Sequence, residues 1–288
     1  MASTETDRQG ASVLSACADR RDLAVLARAL SPHLGADDQL VSPTQGGREA
    51  AMDRMASIDP VAYARTRNHL DGAVTLLGPY IRHGVVALPD VRDTALATVG
   101  HPTDAEKLVQ QLAWRDYWRR LYGDYGMRIW DDLEDYKTGF GPEDYADTLP
   151  DDIKAGATGV AAIDAFVEEL VTTGCLHNHA RLYLAAYVCH FRRVKWQAGA
   201  RFFLRHLLDG DPASNNLSWQ WVASTFSNKP YYFNLENLQR FADGVVDTRY
   251  EHNVVLAGSY EDLHLRLFPN LDPPEPRKPA RPRRGSRR

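Results

Sequence analysis

The densest group of chemistry-bearing side chains lies in one short segment, Asp209-Gly210-Asp211-Pro212-Ala213-Ser214-Asn215-Asn216. Strongly apolar stretches flank this segment, so its ends should be buried, where each carboxylate needs a hydrogen-bond or charged partner. The same residue types are common in any turn between helices, which is the plainer interpretation. A calcium loop that started at Asp209 would need an oxygen ligand and a glutamate where Ala213 and Gln220 stand, so an EF-hand is excluded.

A second polar cluster, Gly174-Cys175-Leu176-His177-Asn178-His179-Ala180-Arg181, stands at the start of the most apolar helix that we predict. His177 and His179 are two residues apart and do not share a helical face, so we predict no metal site. We expect Asn178 to cap the helix. Arg181 enters apolar surroundings and therefore needs an anion, either an acid such as Asp209 or a ligand phosphate.

A third cluster interleaves aromatic and basic residues in Trp114-Arg115-Asp116-Tyr117-Trp118-Arg119-Arg120. Such a helix can stack on bases and neutralise phosphates. An amphipathic helix whose arginines reach out to solvent is the commoner arrangement. For Trp196, Trp219 and Trp221, packing in the core is the simplest prediction.

Several other functional classes lack their sequence signatures here. The chain has no glycine-rich dinucleotide fingerprint, no phosphate-loop motif and no G-x-S-x-G turn, so any cofactor should lie among helices. Cys17, Cys175 and Cys189 form no C-x-x-C pair and cannot supply four thiolates to zinc or an iron–sulfur cluster. No apolar run approaches the roughly 20 residues of a membrane helix. We therefore predict a cytoplasmic protein with no membrane partner.

The elements that must position these clusters are helices, and the predicted fold class is all-α. We predict a helix over 104–122, one over 160–171 that stops at Gly174, a central buried helix over 181–195, one over 200–208, and another that begins by Trp219. Residues 123–157 have the composition of an extended acidic loop.

Composition divides the chain into three parts. Residues 1–45 are predicted to be a helical lead-in, over 11–34, and a linker; residues 46–270 form the main helical domain, and residues 271–288 a basic disordered tail. The last twelve residues carry seven Lys or Arg and no acid, whereas residues 1–276 carry 27 basic against 38 acidic groups, a net charge of −11. The tail is expected either to attract nucleic-acid phosphates or to be a solvated terminus.

Taken in order, these clusters resemble the C-terminal, FAD-binding helical domain of the cryptochrome/DNA photolyase family. The similarity extends from about Gly46 to Asp243, with features of the DASH branch near its start. The segments that carry it are Gly46–Glu49, Tyr63–Asn68, Gly78–Gly84, Leu112–Asp116, Thr158–Asp164, Thr173–Arg181 and Leu208–Thr225.

The resemblance implies an all-α domain that binds FAD, and it assigns a role to individual residues. Asp209 would pair with Arg181 beside the flavin ring, and Asn215 would face the reactive flavin nitrogen. Thr75 and the adjoining backbone would hold the phosphates. The residues implied to bind FAD are Tyr63, Val74, Thr75, Leu76, Leu77, Gly78, Arg115, Asn178, Arg181, Asp209, Gly210, Asp211 and Asn215.

The resemblance also implies a substrate face and a path for electrons. Trp114 would stack on a pyrimidine dimer flipped out of the duplex, and Arg67 would touch DNA phosphate. Gln111 and Trp118 belong to the same face. Trp219 and Trp196 would be the first two members of a relay that carries electrons to the flavin.

Some positions depart from the pattern of the family. Gln111 replaces a glutamate that contacts the lesion, Cys175 replaces a tryptophan, and Thr75 is one hydroxyl where three are usual. No tryptophan stands at the expected third relay position, so Tyr145 or Tyr136 is expected to act as the surface donor. Only 45 residues precede Gly46, so we expect no antenna chromophore domain.

Three hypotheses follow from the sequence. The first is an FAD-binding, photolyase-like enzyme that acts on damaged DNA, either duplex or single-stranded, as a deoxyribodipyrimidine photolyase does, or on another electron acceptor. The second is a cryptochrome-like light or redox sensor without repair activity. The third is a helical module that kept the fold and lost FAD.

Overall fold

The structure, a computed structural model, describes residues 41–272 of the chain. The regular secondary structure of this part is helical. No strand forms in this part, and one isolated parallel bridge joins Ala146 and Val194. The all-α prediction is therefore confirmed. The predicted lead-in over 11–34, and all but the first two residues of the predicted tail, lie outside the described residues.

The described part contains twelve α-helices with short connections. They are α1 Arg48–Ala56, α2 Pro60–Thr66, α3 Gly78–Arg82, α4 Leu88–Ala97, α5 Glu106–Tyr125, α6 Asp151–Lys154, α7 Ala161–Thr173, α8 Asn178–Ala186, α9 Trp196–His206, α10 Pro212–Ala223, α11 Leu235–Ala242 and α12 Tyr260–Leu267. Helical turns of other kinds occupy Pro102–Ala105, Gly126–Trp130, Pro142–Asp144, Tyr187–Phe191, Tyr250–His252 and Val254–Leu256.

Helix α7 forms where its apolar periodicity predicts it. Ile163, Phe166 and Leu170 recur at helical spacing and are completely buried. The helix ends at Gly174, whose φ of 68° lies in the left-handed region that glycine adopts without a steric cost. This boundary agrees with the prediction.

The predicted central helix over 181–195 is wrong in its extent. Helix α8 begins at Asn178, and its N-cap is His177, whose Nδ1 accepts the backbone N–H of His179 at 3.1 Å, so Asn178 is not the cap. The helix widens into a π-turn over Tyr187–Phe191 and then stops. It stops because Arg193 and Lys195 bind the backbone of the acidic loop. The N–H of Ala146 donates to the carbonyl of Arg193 at 2.8 Å, and the N–H of Lys195 donates to the carbonyl of Ala146 at 2.9 Å.

Helices α9 and α10 also differ from their predicted bounds. Helix α9 begins at Trp196 rather than at residue 200, and the predicted loop over 209–216 turns into helix at Pro212. Asp211 caps α10 by accepting the Ser214 N–H at 3.1 Å, and proline is well suited to the first helical position. Ser214 and Asn215 therefore lie in the first turn of a helix.

The interior consists of two main apolar clusters. The larger one is built on α7, α8, α9 and α10 and includes Phe166, Tyr183 and Trp196, each completely buried. The smaller one joins α1, α3, α4 and α5. Helices α3 and α5 of the smaller cluster touch the segment between α9 and α10, and this junction carries the site. No helix within residues 41–272 is long and apolar enough to cross a membrane.

Candidate functional site

Two ion pairs meet at the junction of the apolar clusters. Nη2 of Arg181 lies 3.0 Å from both carboxylate oxygens of Asp209, and Nε of Arg181 donates to the carbonyl of Leu176 at 2.8 Å. Nη2 of Arg115, from α5, lies 3.7 Å from Oδ2 of Asp211. Asp211 is buried and the other three side chains are mostly buried. The sequence left open whether an acid such as Asp209 or a ligand phosphate pairs with Arg181, and in the structure the partner is Asp209.

Helix α3 fixes the segment that carries the two aspartates. Nε of Arg82 donates to the carbonyl of Gly210 at 2.7 Å, and Nε2 of His83 lies 2.9 Å from the carbonyl of Leu208. Neither Arg82 nor His83 was predicted as a site residue. The carbonyls that they meet lie 128 and 125 residues later in the chain, and nothing in the sequence ties the end of α3 to them.

The turn before α3 is held in an unusual conformation. Leu76 has a φ of 52°, in the left-handed region that leucine rarely adopts. Oγ1 of Thr75 accepts the Leu77 N–H at 3.4 Å, and the Leu77 side chain is buried while that of Leu76 is exposed. Such backbone strain is concentrated at ligand-binding turns. Val74 and Gly78 are the first and last residues of this turn.

The remaining residues that the sequence analysis assigned to the cofactor differ in their surroundings. Nδ2 of Asn215 donates to the carbonyl of Ala200 at 3.1 Å, which fixes the side chain between α9 and α10. Tyr63 is half-buried on α2, with the guanidinium of Arg67 5.9 Å from its ring centre, and burial raises the pKa of its hydroxyl. Asn178 is exposed in the first turn of α8.

Two buried polar atoms test whether FAD fits this junction. Within residues 41–272, Nε of Arg115 and Oγ of Ser214 are buried and have no hydrogen-bond partner. Burial lowers the pKa of the Arg115 guanidinium, and the nearby Asp211 opposes that shift. Unsatisfied buried donors are costly unless a ligand or water meets them. A ligand rich in hydroxyl and phosphate oxygens, as FAD is, supplies the missing acceptors.

An aromatic path leads away from the junction. Trp219 on α10 is buried and packs on the backbone of α9 at Gly199, where an added Cβ would lie 2.2 Å from the indole ring. Gly199 is one turn from Trp196, so the two tryptophans that the resemblance assigned to the relay lie on helices in close contact. The ring of Trp196 stacks on that of Trp130, with centres 6.3 Å apart and planes 10° apart.

Trp130 lies next to Trp196 along this path, at the position where we predicted no tryptophan. It is half-buried at the start of the acidic loop. The expected substitute Tyr145 is buried and therefore is not at the surface, and it stacks on half-buried Tyr136 with ring centres 4.6 Å apart. Sequence spacing could not reveal the contact because the loop folds back onto α9 only in three dimensions.

A group of aromatic rings is exposed on α5. Trp114 is 45% exposed, and its ring stacks on that of Trp118 at 5.0 Å. Trp118 also contacts Phe226, with ring centres 5.8 Å apart. Trp221 is 40% exposed, so the prediction of core packing is wrong for it, whereas Trp196 and Trp219 are buried as predicted.

Two residues at departures from the family pattern have clear environments. Gln111 is half-buried on α5, one turn before Trp114. Sγ of Cys175 lies 3.3 Å from Oγ1 of Thr44.

The site combines ion pairs between two helical clusters with unsatisfied donors beside them and a tryptophan path that leads away. Together these features define a helical, cofactor-binding class of protein.

Comparison with known proteins makes this class specific. Residues 108–249 match the model of the FAD binding domain of DNA photolyase. The deoxyribodipyrimidine photo-lyase of Streptomyces griseus is 34% identical over 185 residues, which cover 63% of this chain and 40% of that protein. The photo-lyase of Alkalihalophilus pseudofirmus is 31% identical over 162 residues, 56% of this chain and 33% of that protein.

Solved structures agree with the sequence relatives. The archaeal photolyase from Sulfolobus tokodaii aligns with a TM-score of 0.59 and 26% identity, over 71% of this chain and 46% of that one. The cryptochrome of Synechocystis sp. PCC6803 has the same fold, with a TM-score of 0.63 at 21% identity, over 78% of this chain and 52% of that one. Residues 108–249 thus match the FAD binding domain of DNA photolyase, and the chain spans less than half the length of these two curated relatives.

Proposed function

We propose that the protein is an FAD-dependent, photolyase-like enzyme that uses light to pass an electron to damaged DNA. The observation that carries the proposal is the arrangement of the site, in which two buried ion pairs lie beside the start of a tryptophan path. The proposal includes DNA binding, a lyase activity that splits a pyrimidine dimer, and a cytoplasmic location.

The cofactor residues divide the work of holding FAD. Asp209 and Asp211 would accept hydrogen bonds from its ribityl and ribose hydroxyls, while Thr75 and the backbone over 74–78 would hold its phosphates. Arg115 and Arg181 keep the two carboxylates charged and in place. Asn215, whose side chain is fixed by the carbonyl of Ala200, would present its amide to the flavin ring. Bound FAD supplies the light-driven one-electron chemistry.

The residues that we propose for the substrate side include two of the aromatic rings on α5. Trp114, with Trp118 stacked beneath it, offers a flat surface on which an unpaired base can stack. Arg67 supplies positive charge for a phosphate. Gln111, one turn before Trp114, offers an amide to the base edge. Exclusion of water from such a contact favours electron transfer over side reactions.

The test is light-dependent repair. The flavin-loaded, chemically reduced protein is illuminated with an oligonucleotide that contains a thymine dimer, and the return of thymine absorbance is followed. We expect recovery in the light and none in the dark. Trp114→Ala should slow recovery by about tenfold or more, because stacking of one base contributes roughly 1–3 kcal/mol. Tyr250→Ala, which removes an exposed ring from a different segment, is the matched control and should repair like the unmodified protein.

The second candidate is a light or redox sensor that does not repair DNA. Gln111 and Cys175 favour it, since neither supplies the carboxylate or the aromatic wall that the family places there. A flavin-loaded protein that responds to light and leaves the dimer intact would establish this candidate in place of the enzyme.

A further inference from the structure

The carboxylate of Asp132 lies directly on the tryptophan path, and holding FAD or DNA does not account for it. Its Oδ1 accepts the indole N–H of Trp196 at 2.6 Å and the amide of Gln197 at 3.0 Å. Trp196 is completely buried. Asp132 is half-buried, so only the indole side of this hydrogen bond is fully shielded from water.

Asp132 directs its negative charge at the middle tryptophan of the path. Both groups that donate to it, the indole of Trp196 and the amide of Gln197, are neutral. Its field extends to Tyr136 and Cys189, where burial raises the pKa of each side chain and the nearby Asp132 carboxylate raises it further. The two side chains therefore stay protonated and do not compete for a proton from Trp196.

An opposite charge lies on the outer tryptophan. The guanidinium of Arg201 sits 4.8 Å from the centre of the Trp130 ring. A cation attracts a neutral indole ring, but it repels the same ring once that ring carries a positive charge. Positive charge is thus disfavoured on Trp130 and favoured on Trp196, although the two rings are stacked.

We propose that Asp132 is the proton acceptor of Trp196 when this tryptophan gives up an electron. The proposal rests on the proposed function, since the electron leaves towards photoexcited FAD. One electron passes from Trp196 to oxidised Trp219, and the Nε1 proton of Trp196 moves along its hydrogen bond to Oδ1 of Asp132. Trp196 becomes a neutral radical, and Asp132 becomes a neutral carboxylic acid, so charge and atoms balance.

The transfer changes how long the charges stay apart. The electron can return to Trp196 only if the proton returns as well, which slows the wasteful back reaction. A soluble thiol, as the external one-electron reductant, restores Trp196, and the proton then returns from Asp132 to Nε1.

Flash photolysis of the flavin-loaded protein tests the step. In the unmodified protein the flash should produce the absorption spectrum of a neutral tryptophan radical. In Asp132→Asn it should produce a radical cation whose lifetime is shorter by about tenfold, the effect of removing one charge-assisted hydrogen bond from a buried site. Asp147→Asn is the matched control, because Asp147 lies in the same loop and pairs with Lys195 at the surface. It should behave as the unmodified protein does.

The same neutral radical with the same lifetime in Asp132→Asn, at equal flavin content, would overturn the proposal. An equal loss in Asp147→Asn would also overturn it, because the effect would then come from the charge of the loop. Arg201→Gln should allow oxidation to move outwards to Trp130, which appears as a radical that no longer depends on Asp132.

A second measurement needs no flavin and separates this proposal from the proposed function. In the NMR spectrum the indole N–H of Trp196 should lie downfield of the other tryptophans, and Asp132→Asn should move it upfield. An unchanged signal in Asp132→Asn would contradict the hydrogen bond and the proposal. A protein that fails to bind FAD would contradict the proposed function, while the indole signal still decides the placement of Asp132.

Discussion

Gly78 and Asp209 are packed so closely that no larger residue fits at position 78. A Cβ on Gly78 would lie 2.5 Å from Oδ2 of Asp209, well inside van der Waals contact. The absence of a side chain on α3 therefore sets the position of the carboxylate that Arg181 holds. The ion pair depends on a residue that makes no polar contact with it.

Gly78→Ala should displace Asp209 from Arg181 and weaken FAD binding. We expect an affinity lower by about tenfold, the cost of one weakened charge-assisted hydrogen bond, as measured by titration of the protein with FAD. Gly123→Ala is the control, because no atom lies within 4 Å of the added Cβ. Equal affinities in both variants would show that Gly78 does not position the carboxylate.

At the scale of single residues the sequence revealed charged groups better than it revealed aromatic contacts. Arg181 in an apolar helix demanded an anion, and the structure supplies Asp209 at 3.0 Å. Trp130 could not be found in the same way, because nothing in its spacing ties it to Trp196. Trp221 looked like a core residue by type, yet it is exposed.

Helix α10 begins at a residue with two tasks. Asp211 caps the helix through the Ser214 N–H and also neutralises Arg115. The predicted loop over 209–216 failed because Asp, Gly, Pro and Asn are equally typical of turns and of helix starts. Capping by Asp211 and the fixed φ of Pro212 decided the outcome in favour of the helix.

Two substitutions of Asp211 should separate its effect as a helix cap on stability from the effect of its charge on FAD binding. Asp211→Ala should lower the free energy of unfolding by about 1 kcal/mol through the lost cap and should weaken FAD binding. Asp211→Ser keeps a capping oxygen, so urea unfolding should show it to be more stable than Asp211→Ala by about 1 kcal/mol, whereas FAD binding should stay weak. Full FAD affinity in Asp211→Ser would contradict the role of the charge.

Helix ends were the least predictable feature at the scale of elements. The apolar pattern located α7 well because Gly174 ends it with a strong local signal. The pattern extended α8 too far, since the hydrogen bonds that stop it come from Ala146, about fifty residues earlier in the chain. Local periodicity carries no information about such a partner.

At the scale of the whole molecule, a buried histidine and a half-buried one make stability depend on pH. Burial lowers the pKa of His190 to about 4. Burial is also the largest of the causes that lower the pKa of His177 to about 4. The folded protein therefore binds fewer protons than the unfolded chain between pH 6.5 and 4. Stability is greatest above pH 6.5 and falls as the pH drops through this window.

Between pH 7 and pH 5, the contribution of His190 to the free energy of unfolding should fall by about 2 kcal/mol. His190→Gln keeps an N–H donor for the carbonyl of Val222, which His190 meets at 2.9 Å, and removes the titration. Its urea midpoint should change less between the two pH values than that of the unmodified protein. His101→Gln, at an exposed position, is the control, and equal pH dependence in all three proteins would refute the assignment.

The excess of acidic residues over 1–276 is also a property of the whole molecule. Residues 1–276 carry a net charge of −11, so the DNA binding that we propose would depend on local basic groups such as Arg67 and Arg119 rather than on overall charge. The seven positive charges of the last twelve residues offset part of that excess. Composition predicted this division of charge, and three-dimensional placement then put Arg67 beside Tyr63.

The central claim is that Asp209, held by Arg181, belongs to an FAD site. The most direct measurement is the visible spectrum of the purified protein after incubation with FAD and removal of unbound cofactor. The unmodified protein should retain stoichiometric flavin, and Asp209→Ala should retain none, because Arg181 is then buried without its partner. Unchanged flavin content in Asp209→Ala, or no flavin in either protein, would contradict the account.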